Sequence, residues 1–275
     1  MKNLPVAVQV YSVRDVAEVD FKGTMQKIKD MGYDAVELAG LYDLSAKEVK
    51  AILDEVGILA ISAHVPLQEL MEDMKGSVAD YLTIGVKYIA VPYLPEEQRP
   101  GTDKFEEVVQ FVDTLGAYCM QQGIQLLYHN HDFEFVKMPD GRYALDYLYE
   151  TIAPEHLMTE IDTCWVKVAG EDPAKYVQKY TGRAPVVHLK DYYLEGQRPD
   201  RLYALIGIDE DEQQEAQSTF ELRPVGYGMQ DMPTLLAACI KAGASYVVVE
   251  QDETIGRTSL EAIKLSRDYL KELGW

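Results

Sequence analysis

Carboxylates, histidines and a lysine recur two residues apart in this chain, each pair closing a short apolar run. Glu160 and Asp162 end one run, His188 and Lys190 a second, and Glu250 and Asp252 follow Val247-Val248-Val249. A spacing of two puts side chains on one face of a β-strand. Another run closes on Tyr128-His129-Asn130-His131-Asp132-Phe133-Glu134, and Glu37, His64, Gln9, Tyr11 and Arg14 stand at or just past others. Charges at the end of a buried strand are costly unless paired, hydrogen-bonded or metal-bound. Carboxylates converging on one mouth would repel one another, and a divalent cation is the simplest remedy. Such a cation would act as a Lewis acid on a bound oxygen while a carboxylate or histidine moves a proton. Each residue alone also has an ordinary role. Glu250 serves equally as an ion-pair partner and His188 as a satisfied core histidine, while Tyr11, Tyr93 and Trp165 read first as packing.

The elements that must position these residues are marked by a repeat: a helical stretch, a glycine, then a β-rich run. It appears at Gly32 before Asp34 to Leu38, and at Gly57 before Leu59 to Ser62. It returns at Gly85 before Lys87 to Val91, at Gly123 before Gln125 to His129, and at Gly243 before Ser245 to Glu250. Glycine past a helix end can take the left-handed conformation that closes a C-cap. The apolar run that follows suits a parallel strand covered on both faces. Val6 to Tyr11, Leu157 to Ile161 and Pro185 to Leu189 complete eight strands. Helical segments such as Phe21 to Met31, Ala46 to Val56, Lys104 to Gln122 and Ser259 to Leu273 lie between them. The pattern predicts one α/β domain over residues 1–275, a single (β/α)8 TIM barrel, with a doubly wound open sheet as the alternative. Residues 192–224 form an insertion between strand 7 and helix 7, with the acidic run Asp209-Glu210-Asp211-Glu212 and a short helix; it reads as a lid, an oligomer contact or a solvated loop.

Composition narrows the partners. The chain has 26 basic and 46 acidic residues, a formal charge of -20, which opposes nucleic acid and anionic membranes. No run reaches the roughly 18 apolar residues of a membrane span. The absence of an apolar leader near Arg14, Asp15 and Glu18 predicts a cytoplasmic protein. Cys119, Cys164 and Cys239 are far apart and are expected as reduced thiols. Homo-oligomerisation stays open.

At Tyr128-His129-Asn130-His131-Asp132-Phe133-Glu134-Phe135 the sequence resembles the xylose isomerase-like barrel superfamily. It is most similar to its sugar phosphate isomerase/epimerase group, which includes inosose dehydratase-like enzymes. Glu160 to Val166, Val187 to Asp191, Val249 to Asp252 and Ser266 to Leu270 extend the resemblance over nearly the whole chain. It implies a divalent metal held by Glu134, Asp162, His188 and Glu250, with His129 or His131 competing for the place of Glu134. It also implies Glu134 and Glu250 as the acid/base pair, Lys190 as a catalytic aid, and His64, His131, Glu37 and Tyr11 around the substrate. Three carboxylates with one imidazole would favour Mn2+, with Mg2+ or Co2+ as alternatives. Val225-Gly226-Tyr227-Gly228 departs from the group, where an acidic residue often separates the glycines; the two glycines could instead meet a phosphate.

The resemblance implies a small carbohydrate as partner and a metal-dependent isomerase or epimerase first, the cation stabilising an enediolate as the proton beside a carbonyl is removed. A lyase acting on a keto-inositol or keto-sugar, which shares that early step and then loses a β-hydroxyl, comes second. A DNA-repair endonuclease would need a basic groove. A non-catalytic carbohydrate-binding barrel would differ in having no metal-dependent turnover.

Overall fold

A computed structural model describes residues 3–196 and 219–275. Eight parallel strands close into a barrel in the order β1-β10-β7-β6-β5-β4-β3-β2. They are β1 (Val6–Gln9), β2 (Ala35–Ala39), β3 (Leu59–His64), β4 (Tyr88–Val91), β5 (Gln125–His129), β6 (Met158–Asp162), β7 (Val186–Leu189) and β10 (Tyr246–Val249). The two remaining strands, β8 (Asp191–Glu195) and β9 (Thr219–Arg223), pair antiparallel as a separate ribbon. That ribbon frames the expected insertion. The acidic run and short helix expected within it lie outside the described residues.

The principal helices after successive strands span Phe21–Asp30, Ala46–Val56, Met74–Ile84, Phe105–Gln122, Ala144–Thr151, Pro173–Lys179, Met232–Ala242 and Ser259–Glu272. Gly57, Gly85, Gly123 and Gly243 close four of them with φ of 73°, 93°, 84° and 80°, values that a side chain would strain. Ser45 opens the first of these and Thr258 opens Ser259–Glu272 through reciprocal capping boxes with Glu48 and Glu261.

Most of the core lies between strands and helices, but a small separate cluster fills the barrel: Ala7, Ala35, Ile61, Ala90, Leu127, Val186 and Val248. Two residues further along several of these strands the interior turns polar, with Gln9, His129 and His188. Register carries this change across the sheet, pairing Gln9 with Glu37, His129 with Glu160 and Asp162 with His188. The first strand is shorter than expected. It stops at Gln9, whose side-chain oxygen accepts from the Tyr11 amide at 3.0 Å and opens a 3-10 turn over Val10–Val13.

Candidate metal and substrate site

Two connected levels of side chains occupy the C-terminal half of the barrel interior. In the lower level, Glu37 accepts from Gln9 Nε2 at 2.8 Å, from His188 Nε2 at 2.8 Å, and from the Ser62 hydroxyl. Its neighbour Glu160 lies 2.6 Å from His64 Nε2. In the upper level, Glu250 Oε2 meets His188 Nδ1 and Lys190 Nζ at 2.9 Å each. Lys190 also reaches Asp252 at 3.0 Å and Asp162 at 3.3 Å, so one ammonium stands among three carboxylates. All of these groups are buried.

Local sequence explains the placement. Asp162 ends β6 and caps the short helix Thr163–Val168, its Oδ1 accepting from the Cys164 and Trp165 amides at 2.7 and 3.1 Å. This aims the other oxygen, Oδ2, into the barrel, where it has no hydrogen-bond partner. Asn130 holds the Asp162 amide from the adjacent strand end at 3.0 Å. Trp165 stacks on His131 with centroids 5.4 Å apart, and the Lys190 ammonium sits 5.3 Å above its ring.

Charge balance sets the ionisation of the cluster. Burial would lower His64, but Glu37 and Glu160 outweigh it and push the imidazole up to about 10. Burial opposes the charge on His188 as well, yet Glu37, Glu160 and Glu250 raise it well above the usual range. Burial, with the charge of Glu37, pushes Glu160 up to about 7. Burial also lifts Asp252 to about 6 against the pull of Lys190. Glu250 goes the other way: Lys190 and His188 overcome the cost of burial and hold its carboxyl below the usual range. Burial leaves His129 and His131 neutral, with cationic neighbours adding to the effect.

His129, Asp162, His188 and Glu250 offer ligand atoms that all lie within 4.8 Å of one another, and His64, His129, Glu160 and His188 form a second such group. The structure therefore brings together three of the four expected ligands, Asp162, His188 and Glu250, with His129 in the expected place of Glu134. Glu134 lies in a 3-10 turn, Phe133–Phe135, that follows β5. Its oxygens accept from Tyr128 Oη at 2.7 Å and the His131 amide at 2.9 Å, and burial pushes its carboxyl up to about 7. It braces the loop below the site and enters neither group.

A cavity of about 380 Å³ opens above the upper level. Tyr11, His64, His131, Lys190 and Glu250 line it, as expected, and so does His129. Glu37 does not; a register shift between Val36 and Glu37 accompanies its position at the lower level, beneath His64. Glu69, Asp252 and Tyr93 also line the cavity. Asp252 was legible as the alternate partner of Glu250, and Tyr93 as an aromatic past β4. Glu69, on a short helix after β3, carries no such sequence signal. The Gly226 and Gly228 amides donate to Asp191 at 3.0 Å each, with the Gln230 amide at 3.1 Å, so a carboxylate of the chain already takes the expected phosphate contact.

A family model described as xylose isomerase-like TIM barrel matches residues 25–273. An inosose dehydratase of Geobacillus kaustophilus (strain HTA426) is 27% identical over 189 residues, an alignment spanning 61% of this chain and 60% of that protein. A solved sugar phosphate isomerase/epimerase from Parabacteroides distasonis ATCC 8503 superposes with TM-score 0.77 at 23% identity, covering 98% of both chains. A structure described as IOLI protein with a binding zinc atom superposes with TM-score 0.70 at 16% identity, covering 98% of each. At these identities the two structures share the fold.

Proposed function

Since the chain belongs to the xylose isomerase-like TIM barrel family, and its barrel mouth gathers buried imidazoles and carboxylates, we propose a divalent-metal-dependent enzyme that abstracts a proton beside the carbonyl of a sugar derivative. The observation that carries this reading is the group His129, Asp162, His188 and Glu250 beside the cavity, with Asp162 Oδ2 lacking a hydrogen-bond partner. A buried carboxylate oxygen that makes no hydrogen bond, and shares the Lys190 ammonium at 3.3 Å with two other carboxylates, is open to a cation as a further partner. Two imidazoles with two carboxylates suit Zn2+ as well as Mn2+ or Co2+, a broader choice than three carboxylates would allow. A cation there would polarise the substrate carbonyl.

The side chains supply the rest. Glu250, kept ionised by Lys190 and His188, faces the cavity and accepts the proton next to the carbonyl. Lys190 and His131 line the same cavity and can donate to a substrate oxygen. With Glu134 turned into the loop, this arrangement has one cavity-facing glutamate among the expected acid/base pair. That favours a base and a separate acid, as needed to expel a β-hydroxyl, over two glutamates exchanging a proton across a stereocentre. The dehydratase reading therefore leads the isomerase or epimerase reading. It is also the activity named for the Geobacillus relative, of which this chain's alignment spans 60%.

The substrate best suited is an uncharged polyhydroxylated ketone. Lys190 is the only lysine or arginine among the described lining residues, and three carboxylates already hold it. Glu69, Glu250 and Asp252, which line the same cavity, disfavour a phosphate. The test is a panel of keto-inositols, keto-sugars and their phosphates, followed by NMR in D2O with Mn2+, Co2+ or Zn2+ and after chelation. Metal-dependent solvent exchange at the carbon beside the carbonyl, with loss of water, is expected. Turnover that survives complete metal removal overturns the reading, and isomerised product without water loss moves it to an isomerase.

A further inference from the structure

The two groups of possible ligands share His129 and His188, and each ring stands between the levels. Below, Glu160 Oε2 is 3.3 Å from His129 Nδ1 and 3.5 Å from His188 Nε2, and Glu37 Oε1 is 2.8 Å from His188 Nε2. Above, His188 Nδ1 is 2.9 Å from Glu250 Oε2, and His129 Nε2 is 3.8 Å from Asp162 Oδ2. A neutral imidazole has one N–H and one lone pair, so each ring can serve one level as a ligand and the other only as a donor.

Resting on the metal reading above, we infer that Glu37 and Glu160 are positioning residues that keep the protons of His188 Nε2 and His129 Nδ1, respectively, on the lower side. The lone pairs of His129 Nε2 and His188 Nδ1 then face Asp162 and Glu250. Access separates the glutamates of the two levels: Glu250 lines the cavity, whereas Glu160 and Glu37 lie beneath it, fully buried, although His64 of the lower group also reaches the cavity. Supply of donors separates them too. Glu37 already accepts from Gln9, Ser62 and His188. Asp162 Oδ2 makes no hydrogen bond. A carboxylate that accepts the distal N–H of a ligating histidine orients the ring and raises its basicity. Here Glu37 takes that place for His188 Nε2 at 2.8 Å, while Glu160 Oε2, bonded to His64 at 2.6 Å, faces His129 Nδ1 at 3.3 Å, a nitrogen with no hydrogen-bond partner. Glu160 Oε1 has no hydrogen-bond partner, which makes the lower group the rival location for the ion.

The five histidines of the chain can be assigned one by one, so 15N-histidine NMR of the full protein loaded with 113Cd2+ reads the answer directly. Coupling to cadmium at His129 Nε2 and His188 Nδ1, with protons on their other nitrogens, is expected. Coupling at His64, His129 Nδ1 or His188 Nε2 would place the ion in the lower group and overturn the inference. Glu160→Gln presents an amide N–H where the carboxylate could only accept, so the tautomers can invert. Its Mn2+ affinity should fall by about 10- to 100-fold, the scale of losing an outer partner of a ligand. An unchanged affinity, in a wild type that binds through the upper nitrogens, overturns this inference alone. A wild type that binds neither Mn2+ nor Cd2+ overturns the metal reading with it.

Discussion

Two regions of the molecule bury carboxylates, and they do so in opposite ways. On the outside of the barrel, Asp146 from the helix Ala144–Thr151 accepts from Tyr176 and Tyr180 at 2.7 and 2.6 Å and pairs with Lys179 at 2.6 Å. Its acceptor capacity is met by neutral hydroxyls and one ammonium. At the barrel mouth, Glu37, Glu160, Asp162, Glu250 and Asp252 crowd together; neither Glu160 Oε1 nor Asp162 Oδ2 makes a hydrogen bond, the latter having an ion-pair contact with Lys190 at 3.3 Å. A satisfied buried carboxylate is explained by the stability it lends. One that keeps an unsatisfied oxygen beside like charges costs stability, and a ligand that supplies positive charge gives it a reason.

The comparison breaks first if the mouth tolerates losing its ligands. Replacing Asp162 or His188 with Ala should weaken metal binding by more than the roughly 100-fold upper scale for outer partners. Activity of the His188→Ala protein should return partly with excess Mn2+. Titration calorimetry with Mn2+ and turnover at rising metal check this, and near-normal affinity in both variants would move the site elsewhere. Next comes Glu250→Gln, which keeps an oxygen for the metal but removes the base. Solvent deuterium exchange into substrate should fall about 10²-fold or more with metal still partly bound. Exchange at the wild-type rate would pass the base role to His131 or Lys190.

The outer cluster should show the reverse pattern. Asp146→Ala should leave turnover intact while costing about 1–3 kcal/mol of folding stability, because two tyrosine hydroxyls and a lysine lose their acceptor. Chemical denaturation measures it, and lost activity in a normally stable variant would defeat the division between the regions. The smallest effect is in pH. Burial works to raise the Asp146 carboxyl, but Lys179, Tyr180 and Tyr176 outweigh it and lower it below the usual carboxylate value. Its ionised form thus stabilises the fold above the unfolded value of about 3.9, and that contribution is lost as pH falls through the lower folded value. The stability gap between wild type and Asp146→Asn should be constant near neutrality and shrink in acid. A gap that widened on acidification would reverse the sign assigned to this group.

Much of the barrel was legible because its signals are local. A left-handed glycine after a helix marked five barrel strands and short apolar runs marked the other three, signals that require no knowledge of distant residues, so all eight were anticipated. Strand alternation likewise marked Asp162, His188 and Glu250, whose neighbours in the barrel follow from register. Glu134 was different. Its distance past β5 left its direction to the loop, and a single 3-10 turn sufficed to bond it to Tyr128 and the His131 amide. His129, the last residue of β5, took the expected ligand position because a strand end points where the strand does. Glu37 shows the same limit, since its residue type matched a cavity wall but the barrel placed it one level below.

By itself, then, the sequence determined a (β/α)8 barrel and the strand ends that would carry charge, because periodicity and glycine punctuation act within a few residues. The tertiary structure decided the rest. It grouped His129 rather than Glu134 with Asp162, His188 and Glu250, gave the Gly226 and Gly228 amides to Asp191, and stacked the carboxylates in two levels joined by shared imidazoles. These outcomes depend on which groups from distant strands meet in a space too dry to leave charges unpaired. No spacing along a chain encodes that meeting, because its energy belongs to the assembled set.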